Sequence, residues 1–331
     1  FGDRRDLFKF DLLLDLMASG RFRQLAYVPM LTQADATRQG GLAPADEQGH
    51  RPELFAFLNE RRASRVLDIR NWREYFSRNK EFAYRAYRDD REDYSFGGRG
   101  AYFAGVDEGM VQGACILVDP DIGIQRRTHA YMAQRGLEKY LFIDDLAGLL
   151  KRSQDSLIIV YQHLQKHAGR RLGNIADDVK VLSRRMNLTA VPFIREGDLA
   201  FYAISRNESL MRSAAASFFA HAEKIGNLQS HVTDILQVAK STLNPDVGIS
   251  SLAVFGSVAR GEQNQQSDID VIVSFDGPAT LRGYFTVQRF LENYLGREVD
   301  LVTEKALRPE MRQSVERDGL VALRQFLDGV V

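Results

Sequence analysis

The sequence predicts an α/β domain with a mainly parallel sheet, followed by a small α+β unit. Three observations carry this prediction. Short apolar runs that end in polar residues alternate with helix-like stretches over the first two-thirds of the chain. Gly226 and Asn227 interrupt a long helical stretch. After Asn244 and Pro245, a compact succession of strand, tight turn, strand, helix and strand follows. We therefore divide the chain into residues 1–225 and residues 226–331.

The elements follow in order. Leu7 to Met17 has the spacing of an amphipathic helix, and Gln24 to Leu31 reads as a buried strand ended by turn residues. Gln33 to Arg51 lacks periodicity and predicts a loop, whereas Arg61 to Arg91, dense in Arg, Tyr and Phe, has mostly helical spacing. Gly113–Val118 and Ser156–Tyr161 read as central strands, the first running into Asp119, Pro120 and Asp121 and the second into Gln162 and His163. Asn187–Pro192 and Leu199–Ser205 are further strand candidates, with Glu196, Gly197 and Asp198 as a turn. Helices are predicted over Ser209 to Lys224 and Leu228 to Leu243. Strands at Ser251–Phe255, Asp268–Phe275 and Val299–Thr303, with a helix across Thr280–Leu295, complete the last unit.

Composition narrows the function classes. Lys+Arg and Asp+Glu are both 44, so no global field draws the 331-residue chain to nucleic acid or an anionic membrane. Cys115 is the single cysteine, which excludes an intrachain disulfide and a multi-thiolate zinc site. No apolar run reaches the roughly 20 residues that cross a bilayer, and the first residues lack a signal-peptide core, so a cytoplasmic protein is expected.

The chemistry concentrates in the last unit. A strand that stops at Gly256 and Ser257 lets the backbone turn tightly, so that amide N–H groups and the Ser257 hydroxyl face a phosphate. In Asp268, Ile269 and Asp270 the period of two puts both carboxylates on one face. Such adjacent anions repel unless a divalent cation sits between them, and hard oxygen ligands suit Mg²⁺ or Mn²⁺ with the phosphates of a nucleotide. Asp300, on a short apolar strand expected beside the Asp268 strand, adds a third carboxylate. Three carboxylates can hold two metal ions about 4 Å apart, one activating the attacking hydroxyl and one stabilising pyrophosphate.

These residues resemble the minimal nucleotidyltransferases of the DNA polymerase β superfamily. The family pattern is matched by Gly256, Ser257, Ala259, Arg260 and Gly261, then Ser267, Asp268 and Asp270, then Val299 to Val302. The likeness spans about residues 245–326. It implies a polymerase β-like fold and transfer of a nucleoside monophosphate from an NTP, usually ATP, to a hydroxyl of a protein, RNA or small molecule. By position, Gly256, Ser257, Arg260 and Ser267 would bind the nucleotide, while Asp268, Asp270 and Asp300 would ligate metal, Asp300 alternatively serving as general base. Small members of the family act as antitoxins that AMPylate a HEPN-type ribonuclease toxin, so a fused toxin–antitoxin or phage-defence module fits the layout.

Residues 1–225 resemble no family. Asp119, Asp121 and His163 follow apolar strands, where open α/β sheets bind ligands, and form a second candidate site to which Asp3, Asp6 and Lys9 could contribute. The competing reading makes Asp119 a cap, His163 a structural histidine and Asp3 and Asp6 solvated helix residues. Trp72, Tyr75, Tyr84 and Tyr87 among the arginines of 61–91 could stack on nucleic acid, or belong to a solvated amphipathic helix. The alternative function is accordingly a metal-dependent nuclease or RNA-binding effector under control of the nucleotidyltransferase unit.

Overall fold

The computed structural model describes residues 2–32, 49–78, 81–90, 94–95, 97–125, 136–164, 168–264 and 267–307. The expected loop at Gln33 to Arg51 falls mostly outside these residues.

A six-stranded sheet forms the larger body. In chain order its strands are β1 (Gln24–Pro29), β2 (Ala83–Ala86), β3 (Ala114–Asp119), β6 (Leu157–His163), β7 (Phe193–Glu196) and β8 (Leu199–Ile204), arranged β2-β1-β3-β6-β8-β7. The first four are mutually parallel, whereas β8 runs antiparallel to both β6 and β7. The expected mainly parallel sheet is thus present with an antiparallel hairpin at one edge. Two short strands, β4 (Gly123–Ile124) and β5 (Tyr140–Leu141), pair separately.

β3 lies between β1 and β6, and from Ala114 to Val118 every residue is buried. A strand buried on both faces has no solvent side, so its sequence is continuously apolar instead of alternating. Helix Arg4–Ala18 starts at Asp3, whose side chain accepts from the Asp6 N–H, and packs against helices Pro52–Ala63 and Glu208–Lys224. Each large side chain fully removed from water here, such as Phe10, Phe201 or Phe218, contributes about 2–3 kcal/mol.

Two elements differ from the sequence reading. Asn187–Pro192 is not a strand: Asn187 has φ +54° and caps helix Arg171–Met186, donating its N–H to the Ser183 carbonyl. The strand begins only after Pro192, which lacks an N–H for the ladder. Between Arg61 and Arg91 the helices Pro52–Ala63 and Asn71–Ser77 give way to β2, an edge strand hidden by its short length and half-exposed pattern.

The second sheet holds β9 (Ile249–Val254), β10 (Ile269–Phe275) and β11 (Val299–Thr303) in the order β11-β10-β9, with β10 antiparallel to β9 and parallel to β11. Helix Leu281–Leu295 joins β10 to β11, as the parallel crossover requires. Helix Glu208–Lys224 touches β7, β8 and helix Leu281–Leu295, so one helical layer serves both sheets. Gly296, at φ +65°, lets the two bodies meet: a Cβ there would lie 2.1 Å from the Ala216 nitrogen.

Candidate active site at the Gly256 turn

β9 ends one residue before the turn, where Phe255 N–H donates to the Asp270 carbonyl at 3.0 Å and ties the turn to the acidic strand. Gly256 has φ +70°, a region an L-residue enters only at a cost. A Cβ on Gly256 would lie 2.2 Å from Asp270 Oδ2, so the carboxylate rests directly against the turn. One helical turn, Gly256–Arg260, follows and is closed by Gly261 at φ +71°. Among the described residues the half-buried Ser257 hydroxyl has no hydrogen-bond partner.

The carboxylates share a face because β10 alternates: Ile269 and Val271 are fully buried, while Asp270 is half-buried and Asp268 exposed. Asp270 is the register partner of Asp300 across the parallel pair, which puts their Cα atoms about 4.8 Å apart. Burial chiefly, then the charges of Asp300 and Asp268, push the Asp270 carboxyl above its ordinary range, with Arg260 opposing. An oxygen-only cluster that disfavours its own ionisation is the donor set a divalent cation stabilises.

Sequence reasoning missed Arg297. Its guanidinium donates to the carbonyls of Ser267 at 3.0 Å and Asn264 at 3.3 Å, fixing the chain just before Asp268. Its only sequence signal is proximity to Asp300. Ser267, expected at the nucleotide, has its hydroxyl accepting from Asn264 N–H at 3.0 Å and so supports the same turn. Arg260 pairs with Glu262 at 2.7 Å and is exposed. Tyr284 hydrogen-bonds the Leu301 carbonyl beside Asp300.

In the larger body Asp119 and Asp121 line one cavity of about 480 Å³, together with Asp3, Asp6 and Lys9. Lys9 Nζ reaches Asp119 at 2.8 Å and Asp6 at 3.3 Å. His163 is not among the lining residues; it hydrogen-bonds Asp198 at 2.8 Å. The aromatics offered for nucleic-acid stacking serve the interior instead. Trp72 is 1% exposed and stacks on Phe10 at 3.6 Å, and Tyr84 stacks on Phe76 at 4.6 Å. Arg61, Arg70 and Arg73 are ion-paired with Glu74, Asp68 and Asp89.

Among the described residues, the three ligand groups within 4.8 Å of one another are Asp11, Asp15 and His221, not Asp268, Asp270 and Asp300. That trio already meets Lys224 and Arg51, so it is a compensated ion network. At the Asp268 cluster the charge that opposes the carboxylates is that of the exposed Arg260. No described helix is long and apolar enough to cross a membrane.

Comparison with known proteins bears on the last unit of the chain. A nucleotidyltransferase-domain family model matches residues 236–322. A protein named as a protein adenylyltransferase in Methanocaldococcus jannaschii is 39% identical over 92 residues, covering 27% of this chain and 92% of that protein. The protein adenylyltransferase MntA of Thermococcus cleftensis is 33% identical over 87 residues, 26% of this chain and 88% of its own. A solved minimal nucleotidyltransferase is 35% identical and covers 28% of this chain and 90% of its own, with a TM-score of 0.24. On the family model and the two adenylyltransferase relatives, the chain belongs to the nucleotidyltransferase-domain family and is a nucleotidyltransferase.

Proposed function

We propose that the chain transfers AMP from ATP, in a reaction dependent on Mg²⁺ or Mn²⁺, to a hydroxyl of a protein acceptor. The observation that carries this reading is the pairing of Asp270 with Asp300 against the Gly256 turn. In it Asp268, Asp270 and Asp300 hold the metal, which would lower the pKa of the attacking hydroxyl and neutralise charge on the departing pyrophosphate. The Gly256 and Ser257 amides and the free Ser257 hydroxyl cradle the triphosphate. Arg260 sits one helical turn on, where its charge offsets that of the phosphates.

The protein acceptor rests on the names of the relatives, and AMP on the adenylyl group in those names. Residues 1–225 then serve as the body that recognises the acceptor or is itself the effector restrained by adenylylation, as in a fused toxin–antitoxin or defence module. Incubation with ATP, CTP, GTP or UTP labelled at the α-phosphate, Mg²⁺ and a cell extract tests the reading. Label in the protein fraction, from ATP above the others and absent with Asp268→Asn/Asp270→Asn, supports it. Label confined to RNA or small molecules overturns the acceptor, and no label at all overturns the transfer.

A further inference from the structure

We propose that the cavity at the carboxyl ends of β1, β3 and β6 binds a ribonucleoside, as a second ligand site apart from the Gly256 turn. The chain leaves β1 toward β2 on one side and β3 on the other, so the β1–β3 boundary is the point where strand order reverses and open sheets carry their crevice. Pro29 and Asp119 are register partners at that boundary, and a volume of about 480 Å³ falls within the range of small-molecule sites.

Unused hydrogen-bonding groups define the ligand. Tyr161 is 5% exposed, lines the cavity, and its hydroxyl has no partner among the described residues. Burial raises its pKa, so it stays a donor. Lys9 and Tyr27 both donate to Asp119 Oδ2, leaving Oδ1 without a donor among the described residues. The exposed Asp90 carboxylate at the rim, in the field of Arg70 and Arg73, accepts no hydrogen bond among the described residues. One free donor beside separated free acceptors matches a polyhydroxylated ring, whose vicinal hydroxyls donate to carboxylates and whose oxygens accept. Met30, Leu31, Leu67 and Ile69 supply an apolar wall for a base.

Two other ligand classes fit worse. The lining holds seven aspartates against Arg5, Lys9 and Arg70, a field that repels a triphosphate. The Lys9 ammonium already sits between Asp119 and Asp6, where a cation would be held.

Trp72, the single tryptophan of the chain, lines the cavity and reports on it. Full-length protein is titrated with adenosine, guanosine, cytidine and uridine, and separately with Mg²⁺, while Trp72 emission is followed. We expect a saturable change with at least one ribonucleoside, about three- to tenfold weaker in Tyr161→Phe, which removes one unpartnered oxygen and spares the fold. The change should persist in Asp270→Asn, so failure of the adenylyl-transfer reading leaves this result standing. The proposal is overturned by no saturable change at millimolar ribonucleoside, by equal binding in Tyr161→Phe, by loss of the response in Asp270→Asn, or by a response to Mg²⁺ alone.

Discussion

Gly256→Ala and Gly261→Ala separate backbone strain from displacement of the Asp270 carboxylate, which the proposed function makes catalytic. Both positions have φ close to +70°, so each alanine costs roughly 1–2 kcal/mol of strain. Their surroundings differ. At Gly261 a Cβ meets nothing within 4 Å, whereas at Gly256 it lands 2.2 Å from Asp270 Oδ2. Ordinary contact requires about 3.4 Å, so the Asp270 oxygen must move by roughly 1.2 Å. A misplacement of about 1 Å costs on the order of 100-fold in rate. The assay is label transfer from ATP at saturating Mg²⁺, with thermal melting of both variants as the stability readout. Gly261→Ala should melt slightly lower and retain activity within a few-fold, while Gly256→Ala melts comparably lower and loses about 100-fold. Equal activities for the two variants would show that Asp270 does not need its place against the turn.

Three further outcomes follow from the same geometry. Arg297→Ala removes both carbonyl anchors of the turn before Asp268, and should lower kcat about tenfold with partial rescue by Arg297→Lys, measured by initial rates. Asp270→Asn removes a carboxylate whose ionisation the apo fold disfavours, so it should abolish transfer and yet raise the melting temperature at pH 7, as calorimetry would show. The buried His231, with neither ring nitrogen hydrogen-bonded among the described residues, has its pKa pushed down to about 3 by burial. Between about pH 3 and its unfolded value of 6.5 the unfolded state binds the extra proton, so stability falls as pH drops through that window. His231→Leu should remove about 1.4 kcal/mol per pH unit from the slope of urea-unfolding free energy over pH 4–6.

The candidate site was legible because its residues are local. Gly256, Ser257, Asp268 and Asp270 lie within one hairpin-like stretch, and the period of two places the carboxylates without knowledge of any distant contact. Asp300 required one pairing, and its strand was read with the bounds the structure has. Arg297 was invisible because it acts through carbonyls, which any residue supplies. The same limit explains the larger body. Apolar runs located β1, β3 and β6, but β2 is a four-residue edge strand without a hydrophobic signature. The aromatics at Trp72 and Tyr84 read as an interaction surface until tertiary packing turned them inward. Asn187–Pro192 was misread as a strand because its apolar Leu188, Ala190 and Val191 connect the capped end of a helix to β7, and only the left-handed Asn187 marks the change.

The most direct test is a crystal structure of the full chain with Mn²⁺ and a nonhydrolysable ATP analogue, read by anomalous scattering. The geometry predicts a manganese peak shared by Asp268 and Asp270, with the triphosphate against the Gly256 and Ser257 amides. Manganese at Asp11, Asp15 and His221, or a triphosphate bound away from the Gly256 turn, would contradict it.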